Sequence, residues 1–174
     1  MNASLAHRDS ESLDPYLEIF GRVAARVRPL LVARQIEAHV GCWHEAAVLK
    51  LQKRRWANQS PAGGPSEVGI FFSVWIDSKG LKQRRAFYNI HALKLRSLEG
   101  YAIQSREFAA AFRSAFAGSV HDWPHVFTDY GPQTLMQGWI ELDSPRFEED
   151  VAALACRFIP LAELIDDLLD QRTA

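Results

Sequence analysis

The sequence predicts an α+β domain in which an antiparallel sheet of about four strands packs against amphipathic N- and C-terminal helices. Two observations predict this class. The apolar residues change from helical spacing to strict alternation and back again along the chain. The first three alternating segments follow one another without a crossover helix between them, which favours antiparallel over parallel pairing. At 174 residues and 48% hydrophobic composition, the chain has enough apolar material for one core.

Residues 1–13 mix charged and small residues and are expected to form a disordered leader. They have no apolar stretch of the kind found in a signal peptide. Residues 14–174 are expected to form a single domain. Asp14-Pro15 predicts a helix start, and apolar residues at helical spacing follow as far as Leu31. Pro29 predicts either a kink in this helix or two short helices, and Gly41 is a plausible end of the helical region.

Three predicted strands follow. Alternation from Ala46 onward indicates the first, and the Pro- and Gly-rich residues 57–66 indicate a loop. The second strand covers residues 68–77, and the segment from Asp77 to Gly80 predicts a turn with Gly80 at positive φ. The third strand covers about residues 85–95.

The C-terminal part returns to helices. Ser105 predicts the start of a helix that ends at Gly118, and residues 121–133 are expected to form an ordered loop. Residues 134–142 alternate and predict the fourth strand. Ser144-Pro145 then predicts the start of a long amphipathic helix interrupted by Pro160.

Charge and cysteine content restrict the protein class. Residues 1–100 hold 15 Lys and Arg against 9 Asp and Glu, whereas residues 101–174 hold 5 against 12. This asymmetry can steer a partner or solvate the C-terminal helices, and solvation is the simpler interpretation. Two distant cysteines, Cys42 and Cys156, favour a reducing compartment, although one buried disulfide is compatible with them. No apolar run is long enough to span a membrane, so a cytoplasmic protein is expected.

Three short segments carry a resemblance to a known family. They are the strand 48–53 with its Gln52-Lys53 pair, the Phe-x-Val segment 72–74, and Asn89-Ile90-His91. In these segments the chain resembles an uncharacterised bacterial family of unknown function across roughly residues 17–95. The resemblance implies one bacterial α+β domain and brings no activity with it.

The sequence contains no motif for catalysis, a cofactor or a metal. His39, Cys42 and His44 cluster, but a structural zinc site needs four ligands and no second pair is present. His121, His125 and Asp129 are likewise a weak metal set, because Pro124 argues against the helix that would align them. We therefore predict no metal and no cofactor, and the enzyme class stays open without being favoured.

Two basic clusters invite comparison with nucleic-acid-binding domains. Lys50, Lys53, Arg54 and Arg55 surround the end of the first strand, and Lys79, Lys82, Arg84 and Arg85 surround the next turn. In a meander these clusters lie at opposite ends of the sheet, so they are not expected to form one continuous patch.

The sheet face that points away from the expected core carries the main functional hypothesis. Aromatic, polar and charged side chains alternate there, which is typical of a surface that binds a partner or a ligand. Trp75 and Trp139 are expected at its centre. The alternatives are that a further helix covers this face or that two copies of the chain pair through it. The predicted binding residues are Lys50, Gln52, Phe71, Trp75, Asn89, His91, Gln137, Trp139 and Glu141.

Three functions follow from these patterns. The first is a non-catalytic domain that binds a protein or a small ligand, with a homodimer as a further alternative and no membrane contact. The second, ranked below it, is a nucleic-acid-binding module that uses sheet aromatics and basic loops. The third is a hydrolase-type enzyme whose site is assembled from His91, His121, His125, Asp129 and Glu141.

Overall fold

The fold is α+β, as the sequence predicts. A computed structural model describes residues 11–60 and 66–174. The sheet is antiparallel and has five strands in the order β1-β2-β3-β4-β5. The strands are β1 (Glu37–Trp43), β2 (Ala46–Gln52), β3 (Gly69–Ile76), β4 (Arg85–Leu93) and β5 (Thr134–Glu141). The helices are α1 (Asp14–Val32), α2 (Ser78–Gln83), α3 (Ser105–Phe116) and α4 (Phe147–Asp170).

The helices α1, α3 and α4 pack on one face of the sheet and enclose the core. The α1 helix contacts α4, β1 and β2, and α3 contacts α4 and β5. At the centre, Phe158 of α4 stacks on Phe72 of β3 with 4.7 Å between the ring centroids. Both side chains are fully buried, and burial of such apolar surface is the main driving force for folding.

The strand register confirms which residues share a face. Leu49 pairs with Val74, and Val74 pairs with Tyr88, so these buried residues all point toward the helices. One position along, Lys50 pairs with Ser73, and Ser73 pairs with Asn89. Because side chains alternate along a strand, the second set points to the opposite face.

The first strand, β1, was absent from the prediction. It joins β2 through a two-residue turn in which His44 and Glu45 have φ values of 49° and 60°. Two consecutive left-handed residues are typical of a type I′ hairpin, which usually contains Asn-Gly. The sequence has neither residue there, so the usual hairpin signal is missing. Gly41, expected near a helix end, lies within β1.

Two prolines do not break their helices. The α1 helix continues through Pro29 to Val32, and α4 continues through Pro160 to Asp170. The expected turn at residues 77–80 is instead the start of α2, where Asp77 Oδ1 accepts a hydrogen bond from Gly80 N at 2.8 Å. Gly80 does not have the expected positive φ and is required there by close packing, since a Cβ atom would lie 2.6 Å from the Arg85 carbonyl oxygen.

A buried ion pair holds the end of β2 against α4. Asp166 Oδ2 lies 2.5 Å from Lys53 Nζ, and Asp166 Oδ1 accepts a hydrogen bond from Trp56 Nε1 at 2.8 Å. The Lys53 and Asp166 side chains are 11% and 19% exposed, and Trp56 is fully buried. We call this group the Asp166 clasp.

The remaining expectations concern the N-terminal leader and the loop, the two cysteines, and membrane-spanning helices. Residues 1–10 of the expected leader and residues 61–65 of the expected loop lie outside the described residues. Cys42 and Cys156 are both exposed and form no disulfide. Among the described helices, none is long and apolar enough to cross a membrane.

Candidate binding groove

A groove of about 1150 Å³ runs along the second face of the sheet, the face opposite the helices. Its floor is formed by β2 and β3, and β1 with the β1–β2 turn forms one wall. His91 and Leu93 of β4 lie on the other side. The described side chains lining its centre mix apolar, polar and charged groups, namely His39, Trp43, Val48, Lys50, Gln52, Phe71, Ser73, Trp75 and His91.

Trp43 gives the β1 wall its shape. A Cβ atom at Gly41 would lie 3.1 Å from the indole ring of Trp43, so the ring lies over this glycine. Trp43 is 37% exposed, which is high for a tryptophan. The glycine therefore lets the indole ring extend along β1 beside the groove.

A chain of hydrogen bonds forms the polar part of the sheet beneath the groove. Ser73 Oγ donates to Asn89 Oδ1 at 2.8 Å, and Asn89 Nδ2 lies 2.7 Å from His91 Nε2. Ser73 and Asn89 are buried, so these bonds satisfy polar groups that would otherwise be costly. When the Asn89 amide donates to Nε2, the neutral His91 ring carries its proton on Nδ1.

His91 keeps one buried nitrogen without a partner. Its Nδ1 makes no hydrogen bond within the described part of the chain. Burial lowers the pKa of His91, and the nearby Gln133 backbone opposes this shift only in part. A bulge in β5 opposite this position pairs His91 with Thr134 and Ile90 with Met136.

Lys50 places a cation on the groove floor. Its side chain is half-buried, and its Nζ lies 4.5 Å from the centroid of the Phe71 ring. No carboxylate lies within ion-pair distance of Lys50 among the described residues. Burial without a counter-charge lowers the pKa of Lys50.

The β5 side of the face is closed by contacts within the protein. The guanidinium carbon of Arg85 lies 3.7 Å from the centroid of the Trp139 ring, and the His125 ring stacks on Trp139 at 3.6 Å. Two groups this close to one centroid must occupy opposite faces of the indole. Trp139, expected at the centre of the binding face, is thus sandwiched between other side chains.

The structure places the nine predicted binding residues in three groups. Five line the groove, and Asn89 lies buried beneath it. The three on β5 point to the same face but lie outside the groove. Gln52 also has a structural role, because its Nε2 donates to the Ile70 carbonyl oxygen at 2.8 Å. The five groove residues are Lys50, Gln52, Phe71, Trp75 and His91, and the three on β5 are Gln137, Trp139 and Glu141.

The dispersed enzyme set is only partly brought together. His121, His125 and Glu141 line a separate cavity of about 470 Å³. His91 lines the groove instead, and the exposed Asp129 lines neither of these two cavities.

The His and Cys clusters do not converge on a metal. His39 and Cys42 are three residues apart on β1, so their side chains point to opposite faces of the sheet. Across residues 11–60 and 66–174, no group of three or more His, Cys, Asp and Glu side chains could hold a metal ion.

The two basic clusters lie at opposite ends of the sheet, as expected. The register pairs Leu51 with Phe72 at one end and Ala47 with Ile76 at the other. In the first cluster, Arg54 Nε lies 2.7 Å from Glu37 and Arg55 pairs with Asp170. Much of this basic charge is therefore neutralised by carboxylates of the same chain.

Comparisons of the chain with family models, with curated proteins and with solved structures found no match. The resemblance to an uncharacterised bacterial family therefore stays a prediction. Function has to be inferred from the groove and from the chemistry of the side chains that line it.

Proposed function

We propose that this domain is a non-catalytic binding module that holds a short extended segment of a partner protein in the groove. The observation that carries the proposal is the groove itself. It combines exposed aromatic and aliphatic surface with a half-buried, unpaired cation on a sheet face that the described helices leave open. Mixed apolar and polar lining is typical of protein-binding surfaces.

The size of the groove favours a peptide segment over a small molecule. Pockets for small molecules are usually about 300–1,000 Å³. This groove, at about 1150 Å³, is larger. It follows β2 from Ala46 to Gln52, a strand of 7 residues, and a strand of this length spans roughly 20 Å. An extended peptide of about seven residues has the same length.

The buried polar chain formed by Ser73, Asn89 and His91 is not arranged for a chemical step. The Ser73 hydroxyl donates to Asn89 and not to His91. A catalytic serine needs a base that takes its proton, and Asn89 lies between the hydroxyl and the imidazole. These residues therefore serve as a fixed, hydrogen-bonded floor.

Panning a phage-displayed library of random peptides of about seven residues against the purified protein tests this function. Selected peptides are then measured against Val48→Tyr, which places a ring in the groove between Gly41 and Trp75. Val32→Tyr is the matched control, since Val32 is 62% exposed at the end of α1.

We expect Val48→Tyr to weaken binding about tenfold or more, which corresponds to about 1.4 kcal/mol, while Val32→Tyr binds like the parent protein. Melting temperatures of both variants equal to that of the parent protein would establish that the fold is intact. The proposal is refuted if no peptide is selected, or if the selected peptides bind both variants equally well.

A further inference from the structure

We infer that Lys50 is a carboxylate-recognition position, and that the segment bound in the groove presents an Asp or Glu side chain to it. This inference rests on the proposed function and specifies the class of partner. It follows from the position of the Lys50 ammonium, from the partners of the surrounding carboxylates, and from the groups that flank it.

The three carboxylates that line the groove already have partners. Glu37 Oε1 lies 2.7 Å from Arg54 Nε, and Glu67 Oε2 lies 2.9 Å from Lys94 Nζ. The Asp77 carboxylate accepts a hydrogen bond from the backbone of α2. The counter-ion of the Lys50 ammonium therefore has to come from outside the described residues.

The surroundings of Lys50 disfavour an unpaired charge. Phe71 lies under the ammonium, and Val48 lies two residues away on the same face of β2. The cross-strand neighbours are His39 on β1 and Ser73 on β3, and neither carries a negative charge. A half-buried ammonium gains most from a counter-ion when water is excluded around it. A bound carboxylate would supply this counter-ion and complete the solvation of Lys50.

The same geometry specifies the residues that flank the acid in the partner. In an extended peptide, side chains two residues apart point to the same side. Three apolar side chains line the groove on one side of Lys50, namely Trp43, Val48 and Trp75. We therefore infer a segment in which an acidic residue is followed or preceded, two positions away, by an apolar residue.

The test uses the peptides selected by panning, each made with its acidic residue and with the corresponding amide. Binding is measured by titration calorimetry to the parent protein, to Lys50→Met and to Lys82→Met. The last variant is the control for loss of a lysine charge, because Lys82 is exposed on α2 and does not line the groove.

On the parent protein and on Lys82→Met, we expect the amide peptide to bind about tenfold more weakly than the acid. On Lys50→Met the two peptides should bind alike. The inference is overturned if the selected peptides have no recurrent acidic position, or if the amide penalty survives in Lys50→Met. In either case, selected peptides whose binding is blocked by Val48→Tyr would still support the proposed function. Failure to select any peptide would overturn both.

Discussion

The Asp166 clasp links the β2 end of the sheet to α4, and removing its carboxylate should destabilise the whole domain. In Asp166→Ala, the 11%-exposed Lys53 loses its counter-ion and the buried Trp56 Nε1–H loses its acceptor. Breaking a fully buried ion pair costs about 3–5 kcal/mol. Because water reaches part of this pair, we expect a loss near the lower limit, about 3 kcal/mol. For a chain of this length that lowers the melting temperature by roughly 6–12 °C.

Asp166→Asn removes the negative charge but keeps an oxygen that can accept a hydrogen bond. The amide oxygen can still accept from Trp56, so we expect a smaller loss of about 2 kcal/mol. Adding Lys53→Met removes the unpaired charge, and the double variant should recover about half of that loss. Asp170→Asn is the matched control on the same helix. Its carboxylate is 59% exposed and pairs with Arg55, so we expect a change within about 0.5 kcal/mol.

Urea unfolding followed by circular dichroism measures these four variants and Lys53→Met alone, with slopes compared to verify two-state behaviour. The reasoning fails if Asp166→Ala costs less than about 1 kcal/mol, or if Lys53→Met and Asp166→Asn are simply additive. Either result would mean that solvent already stabilises the Lys53 ammonium.

Three further perturbations have defined outcomes. Gly138→Ala should destabilise the protein by about 2 kcal/mol, because its Cβ would lie 2.4 Å from Tyr88 Oη, which is fixed by the Pro124 carbonyl. Gly118→Ala is the control and should be tolerated, since no atom lies within 4 Å of its Cβ. Equal melting temperatures of these two variants would contradict the predicted clash at Gly138. Glu45→Gly should stabilise the β1–β2 turn by about 1 kcal/mol in urea unfolding, since φ is 60° there, and a loss of stability would reject the left-handed turn. The pKa of His91, measured by NMR, should lie below about 6.5 because of burial. The unfolded chain then binds more protons, so stability is lost as the pH falls through this pKa, and a His91 pKa above about 6.5 would refute the assignment.

Period-two alternation was sufficient to assign the faces of β2, β3 and β5. Side chains of a strand have two directions, so buried Leu49 and Leu51 fix the opposite direction of Lys50. The weaker pattern of β4 indicates only that Tyr88 and His91 lie on opposite faces, and in the structure Tyr88 points to the core and His91 away from it. The nine residues predicted to bind all lie on the face opposite the helices, and five of them line the groove.

The groove itself could not be predicted because it depends on elements that lack a local signal. The β1 wall joins β2 through a turn without Asn or Gly, and its residues Glu37, His39 and Trp43 were not assigned to the site. Trp139 was predicted at the centre of the binding face. The groups that cover its ring, Arg85 and His125, are distant in sequence, so their contact with it could not be predicted. Likewise, the partners Lys53 and Asp166 are 113 residues apart, so the sequence alone indicates that Asp166 is an ordinary solvated acid.

The meander order of the sheet has a consequence for how the chain folds. β1 and β2 form one local hairpin, and β3 and β4 form another around the short α2. Joining them requires closing the segment 53–68, and adding β5 requires closing the longer segment 94–133. Loop-closure entropy grows slowly with length, so the second closure costs only about 0.8 kcal/mol more than the first. The two hairpins can therefore form early, and the order of the later steps depends on which apolar surfaces α1 and α4 cover first.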